Sequence, residues 1–309
     1  MGKLTTEPQS AARTAGLLAI AVAAALWAIA AVVARDLFDR GVTPLELTTA
    51  RATVAALGLA VVNRDWSLPH DRMSAITIVG FGLSIALVTA TYYLAIERLA
   101  VAVAVVLQYS APALVVLWVS LRDRRLPARE VFVALVLALV GVAFASELPS
   151  ADAGRLDLVG IAAGLASAVC FATYTLFSEK VGARYGPTGA MFRAFLVAAI
   201  FWNLIMIPSG EWSTAPYRLE NLVSILFVGI LGTLIPFSLY VWGIRHVRPE
   251  RAVIAATLEP PFAALVAWLW LGQRLSAMQL AGGILVIAAV VALQLFRTGR
   301  GPRPQSAPI

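Results

Sequence analysis

Ten apolar runs, each near the ~20 residues that cross a hydrocarbon core as a helix, leave this chain few ways to fold. They lie near residues 14–34, 43–62, 73–96, 99–121, 128–146, 157–178, 187–208, 221–244, 250–271 and 276–296, joined by short connections. In lipid every backbone amide must be satisfied within its own segment, so the runs read as helices. The expected fold class is an all-α integral membrane protein with ten transmembrane helices. Only 13% of the residues are charged, against roughly 25% in a soluble domain, and 60% are hydrophobic. The first run follows Lys3 and Arg13, as in a signal peptide. It is longer than a typical signal-peptide apolar core and has a counterpart in the second half, so it reads as a span. Residues 1–13 and 297–309 read as tails.

The placement of basic residues orients the spans. With the first tail in the cytoplasm, sixteen Lys and Arg fall inside and six outside, with Arg122, Arg124, Arg125 and Arg129 in one inner loop. Such asymmetry marks the cytoplasmic side, so both termini are expected there. It also accounts for the net charge of +7 without nucleic acid as a partner. Cys170, the one cysteine, excludes an internal disulfide. The two histidines, His70 and His246, lie in polar junctions and give little material for a metal cluster or a histidine-based catalytic pair. No histidine or aspartate lies mid-span, and Ser84, Ser110 and Ser167 have no evident base, which argues against an intramembrane enzyme. No phosphate-binding G-x-x-x-x-G-K-[ST] motif suggests an ATP-driven pump or an ATPase subunit as partner. No cofactor is implied.

The run at 250–271 carries an acid, Glu259, and two prolines, Pro260 and Pro261. An acid at the centre of a spanning helix costs about 2.5–3.5 kcal/mol on insertion scales. Prolines strip hydrogen bonds from carbonyls four residues back. The same layout surrounds Pro112: a shift of 149 positions aligns Gln108 to Arg125 with Thr257 to Arg274 without a gap. Trp27 aligns with Phe171 at a shift of 144, and Arg51 with Arg193 at 142. The chain therefore reads as two five-helix halves, 14–146 and 147–296. Five is odd, so the second half enters the membrane the other way up. Inverted repeats with interrupted helices recur in secondary transporters, whose solute site lies near the midplane between halves. Pro112, Pro236, Pro260 and Pro261 are the expected breaks or gating points.

This pattern resembles the EamA type of the drug/metabolite transporter superfamily, with its ten-helix, five-plus-five build. The resemblance covers residues 14–296 and is carried by Gln108 to Leu126, by Leu258 to Leu275, and by Arg51 and Arg193. The chain departs at Gly272-Gln273, where the family often has Gly-Glu, and at Asp123-Arg124. Among its relatives are exporters of amino acids, and the chain resembles the YddG-like group of these. The resemblance implies a secondary active exporter of small solutes, amino acids first, in a bacterial inner membrane and working by alternating access. Export of other metabolites or drugs, or a passive channel, is the alternative.

Glu259 is the first candidate for solute binding. Its helical neighbours Ala255, Ala256 and Ala263 are small and leave space beside a carboxylate that would take an ammonium group or a proton. A structural acid satisfied by a neighbouring helix is the equal alternative. Gln108 and Thr257 each combine a polar side chain with a carbonyl freed by a proline. Trp27, Tyr92, Phe171, Tyr174 and Tyr240 are aromatic candidates for the cavity, although packing and interface anchoring are the commoner roles of such rings. Gly160 and Gly164 form a G-x-x-x-G for close helix contact. Arg51 and Arg193 could anchor a carboxylate through the guanidinium fork. Matched across the repeat, they read more simply as architecture.

Overall fold

A computed structural model describes residues 7–67, 69, 71–99, 101–148, 157–209, 216, 218–271 and 274–295, and among these every regular element is helical. In order these are α1 (Glu7–Asp39), α2 (Pro44–Val62), α3 (Arg72–Arg98), α4 (Val101–Gln108), α5 (Ala111–Asp123), α6 (Arg129–Ala145) and α7 (Leu158–Ser209). After them come α8 (Leu219–Gly229), a π-helical turn (Ile230–Leu234), α9 (Ile235–His246), α10 (Pro249–Ala256), α11 (Glu259–Leu271) and α12 (Ala277–Leu295). His70 lies outside the described residues.

Among the described residues, seven helical stretches are long and apolar enough to cross a membrane: Ala11–Asp39, Pro44–Val62, Arg72–Ala95, Val103–Asp123, Leu158–Pro208, Leu219–His246 and Pro249–Trp270. Ala277–Leu293 is a shorter apolar helix. Part of the difference from the ten runs lies in α7. Its 52 residues hold two of the expected spans, joined at Gly186, whose φ of 70° and ψ of 171° are not helical. Glycine reaches positive φ at little cost, and Pro187 follows it at once. The other part is length, because α6 has only 17 residues.

Local chemistry sets the ends. Thr43 and Glu46 close a reciprocal capping box on α2: the Thr43 amide donates to Glu46 Oε2 at 2.8 Å and the Glu46 amide to Thr43 Oγ1 at 3.2 Å. Asp71 caps α3, accepting from the Ser74 amide at 2.8 Å. Arg124 ends α5 in the left-handed conformation, with φ of 50°. Leu117, Trp118 and Leu121 on α5 and Trp268, Leu269 and Trp270 on α11 are exposed, as helix faces turned toward lipid would be.

The repeat seen in the sequence reappears as geometry. An eight-residue α4 and a thirteen-residue α5 flank a break at Tyr109-Ser110. An eight-residue α10 and a thirteen-residue α11 flank a break at Thr257-Leu258. The aliphatic hydroxyls in the breaks turn back on their own helices: Ser110 Oγ donates to Leu107 O and Thr257 Oγ1 to Ile254 O, each at 2.6 Å. One end of the bundle is tied by charges. Arg248 pairs with Asp123 at 2.8 Å and Glu250 at 2.9 Å, Arg122 with Glu179 at 2.9 Å, and Arg251 with Glu130 at 3.4 Å.

Small residues let helices approach. Gly160 abuts Leu99, and Gly164 abuts Leu107. The tightest approach joins α6 and α12, where a Cβ on Gly282 would stand 2.6 Å from the Gly141 carbonyl oxygen and against the Ala145 backbone. Backbone cannot yield as a side-chain tip can. Gly282→Ala is therefore expected to destabilise the protein by about 1–3 kcal/mol. Gly283→Ala, whose Cβ would meet Pro261 at an ordinary 3.8 Å, is expected to be neutral or slightly stabilising through helix propensity. Thermal unfolding of both purified variants in detergent checks this; equal behaviour would contradict it.

Candidate functional site

The two helix breaks bring together one side chain from each half. Tyr109, in the first break, donates its hydroxyl to Glu259 Oε2 at 2.6 Å. Glu259 opens α11 directly after the second break. This corrects the sequence expectation about its surroundings: Ala255 and Ala256 belong to α10, so the space at the carboxylate is not made by helical neighbours of Glu259 on both sides. Tyr109 faces it instead, from the other half of the chain.

Aromatic rings extend from Tyr109. Phe171 stands edge-on to Tyr109 at 6.2 Å between centroids and stacks on Tyr174 at 5.4 Å. Tyr174 meets Tyr240 at 5.4 Å and Phe237 at 5.7 Å. Trp27 meets Phe237 edge-on at 5.1 Å and Tyr240 at 5.7 Å. The repeat-mates Trp27 and Phe171 thus both touch Tyr240, from α1 and α7. Tyr240 shares a hydrogen bond with Thr175 at 3.1 Å. Trp27 Nε1 and the Tyr174 hydroxyl are buried with no partner among the described groups. Such orphan donors are uncommon and mark a place where a polar ligand has something to bond.

The other expected residues lie around this cluster. Gln108 sits one position before Tyr109 and donates from Nε2 to Ser167 Oγ at 2.9 Å, while Ser167 donates to Val88 O at 2.9 Å. Thr257 is fully buried with its hydroxyl spent on Ile254. Tyr92 packs near Tyr93, with centroids 6.3 Å apart. The prolines mark the interruptions, each standing within two residues of a helix start: Pro112 in α5, Pro236 in α9 after the π-helical turn, and Pro260 and Pro261 in α11.

The matched arginines have different surroundings. Arg193 is buried and held on several sides: Nη1 donates to Gly189 O at 3.0 Å, Nη2 reaches Asp65 Oδ2 at 3.3 Å, and its guanidinium lies 3.9 Å from the Tyr185 ring centre. It fastens the 63–67 connection to α7. In that connection the Asp65 carboxyl is held below its ordinary range, chiefly by hydrogen bonds from Ser67. Arg51 donates from Nε to Thr233 Oγ1 at 3.0 Å and lies 6.0 Å from the Phe237 ring centre. It lines a small, partly open pocket between α2, α3, the second arm of α7 and α9. Thr48, Thr89, Phe195, Trp202 and Phe237 share the lining, and sequence reasoning missed them. Phe237 follows Pro236, which was a usable signal. Trp202 lies in an apolar run, where a tryptophan looks like an interface anchor.

A multi-spanning helical protein with matched broken helices and a half-buried acid between them falls in the class of membrane transporters. The model of the EamA-like transporter family matches residues 14–146 and again residues 158–294, and the chain belongs to that family. It is similar to the "Threonine/homoserine exporter RhtA" of Escherichia coli (strain K12), with 28% identity over 256 residues, covering 82% of this chain and 81% of that protein. It is also similar to the "Uncharacterized inner membrane transporter YicL" of Salmonella typhimurium (strain LT2), with 26% identity over 289 residues, covering 91% and 95%. A solved crystal structure superposes with a TM-score of 0.77 at 18% identity, over 91% of this chain and 97% of that one, which shows a shared fold.

The Tyr109–Glu259 bond predicts coupled energetics. Tyr109→Phe is expected to cost about 1–3 kcal/mol, because it leaves a half-buried carboxyl without its donor. The same change made on Glu259→Gln is expected to cost less. A double-mutant cycle on thermal unfolding reads the difference, and strictly additive effects would show that the bond carries no stability.

Proposed function

We propose that this chain is a secondary active exporter of amino acids that works by alternating access in a bacterial inner membrane. The observation that carries this reading is the 2.6 Å contact between Tyr109 and Glu259 across two matched helix breaks, floored by unpartnered aromatic donors. The similar exporter named for threonine and homoserine supports the solute class. In this reading the chain spans the membrane ten times, with the two arms of α7 as separate spans. Residues 14–146 and 147–296 form inverted five-helix halves, and both termini are cytoplasmic. Rocking one half against the other exposes the solute site to each side in turn. The site comprises Trp27, Tyr92, Gln108, Phe171, Tyr174, Tyr240, Thr257 and Glu259. Pro112, Pro236, Pro260 and Pro261 supply the bending points.

Glu259 binds the ammonium group of the solute, and the rings close around it as a cation-attracting cage. Proteoliposomes loaded with unlabelled L-threonine are expected to draw in labelled L-threonine by counterflow, which a channel does not do. Glu259→Gln, with folded protein matched, is expected to weaken amino-acid exchange at least about tenfold, the loss of one charged hydrogen bond. Analogues lacking the ammonium should be spared. Absence of counterflow across a panel of amino acids would end the exporter reading, and wild-type exchange by Glu259→Gln would remove Glu259 from the site. For the orientation, single cysteines at 122–125 should label from the cytoplasmic side.

A further inference from the structure

We propose that the pocket beside Arg51 is a carboxylate subsite, taking the carboxylate of the solute whose ammonium group turns toward Glu259. The inference rests on the exporter reading above and adds a second recognition point. Five observations meet there. First, Arg51 has no carboxylate within 4.0 Å among the described residues, whereas its repeat-mate Arg193 has Asp65 at 3.3 Å. Second, the Trp202 indole Nε1 is buried without an acceptor in a side chain only 7% exposed. Third, the hydroxyls of Thr48 and Thr89, which share the lining, make no hydrogen bond with another described residue. Fourth, no acid lines the pocket. Fifth, Phe237 belongs both to the pocket and to the ring cluster, so the two sites adjoin.

The chemistry is one-sided. Guanidinium, indole N–H and two hydroxyls offer donors, and only the hydroxyls can also accept. A guanidinium at membrane depth is costly until an anion or a set of acceptors meets it. A carboxylate fits because its two oxygens match the guanidinium fork. Arg51 lies over Phe237 and Glu259 is bonded to Tyr109, the two ends of one ring cluster, so a solute held there meets a guanidinium and a carboxyl group. The two halves of the chain thus differ in use: Arg193 fastens a loop, and the equivalent Arg51 binds.

The test compares L-threonine with L-threonine amide in counterflow, using wild type, Arg51→Gln, Arg51→Lys and Trp202→Phe at matched folded protein. Arg51→Gln is expected to raise KM for threonine at least about tenfold, the scale of one charged hydrogen bond, and to leave the amide within about twofold. Trp202→Phe should shift KM in the same direction by less. Arg51→Lys keeps the charge but not the fork, so it should fall between, and it carries the test if the glutamine variant does not fold. Equal changes for acid and amide, or an unchanged preference, would overturn the subsite while leaving the exporter intact. If wild type moves neither compound, the exporter reading fails on its own. Calorimetry with benzoate and benzamide then decides the pocket: an Arg51-dependent preference for benzoate upholds it, and its absence overturns it.

Discussion

A carboxyl group inside a membrane-spanning bundle needs a donor, and here the donor comes from the other half of the chain. Tyr109 and Glu259 meet at 2.6 Å only because each stands beside a break in its helix. A continuous helix would commit the backbone at both positions to its own ladder. The prolines deny that ladder, and the two short-plus-long helix pairs place the freed segments alongside each other. The ring cluster, the orphan donors and the nearby guanidinium are all arranged around that meeting point.

Duplication with divergence explains why two equivalent arginines have unlike surroundings. Arg193 finds acceptors in a loop at its own end of the bundle: Gly189, Asp65 and Ser67. Arg51 meets hydroxyls instead, that of Thr233 in the π-helical turn before Pro236 and that of Tyr93. The asymmetry of the acid is of the same kind. Glu259 stands where the first half has Ser110, and Ser110 spends its hydroxyl on Leu107. A symmetric scaffold thereby gains an asymmetric interior, which suits a solute with different ends.

Much of this was legible in the sequence, and the reasons are physical. Membrane-length apolar runs dictate helices. A gapless repeat of prolines dictates that breaks occur twice, at equivalent positions along the two halves of the chain. The rings of Trp27 on α1 and of Phe171 and Tyr174 on α7 converge on Tyr240 of α9. The surroundings of Glu259 were not legible: helical spacing placed Ala255 and Ala256 beside it, and the break moved them to a different helix. Gln108 and Thr257 share a sequence rank but not an environment, since Gln108 reaches Ser167 on α7 and Thr257 turns back on its own helix. The pocket lining of Thr48, Thr89 and Trp202 was hidden because it assembles from three helices distant in sequence, each locally unremarkable.

The central claim is that the space between the two breaks holds the solute. Structure determination of the protein in lipid nanodiscs with saturating L-threonine tests it most directly. The account predicts one ordered amino acid, its ammonium within hydrogen-bond distance of Glu259, flanked by Trp27 and Tyr174, with Tyr109 displaced from or sharing the carboxylate. An amino acid bound elsewhere, with the Tyr109–Glu259 pair and the ring cluster unchanged, would contradict it.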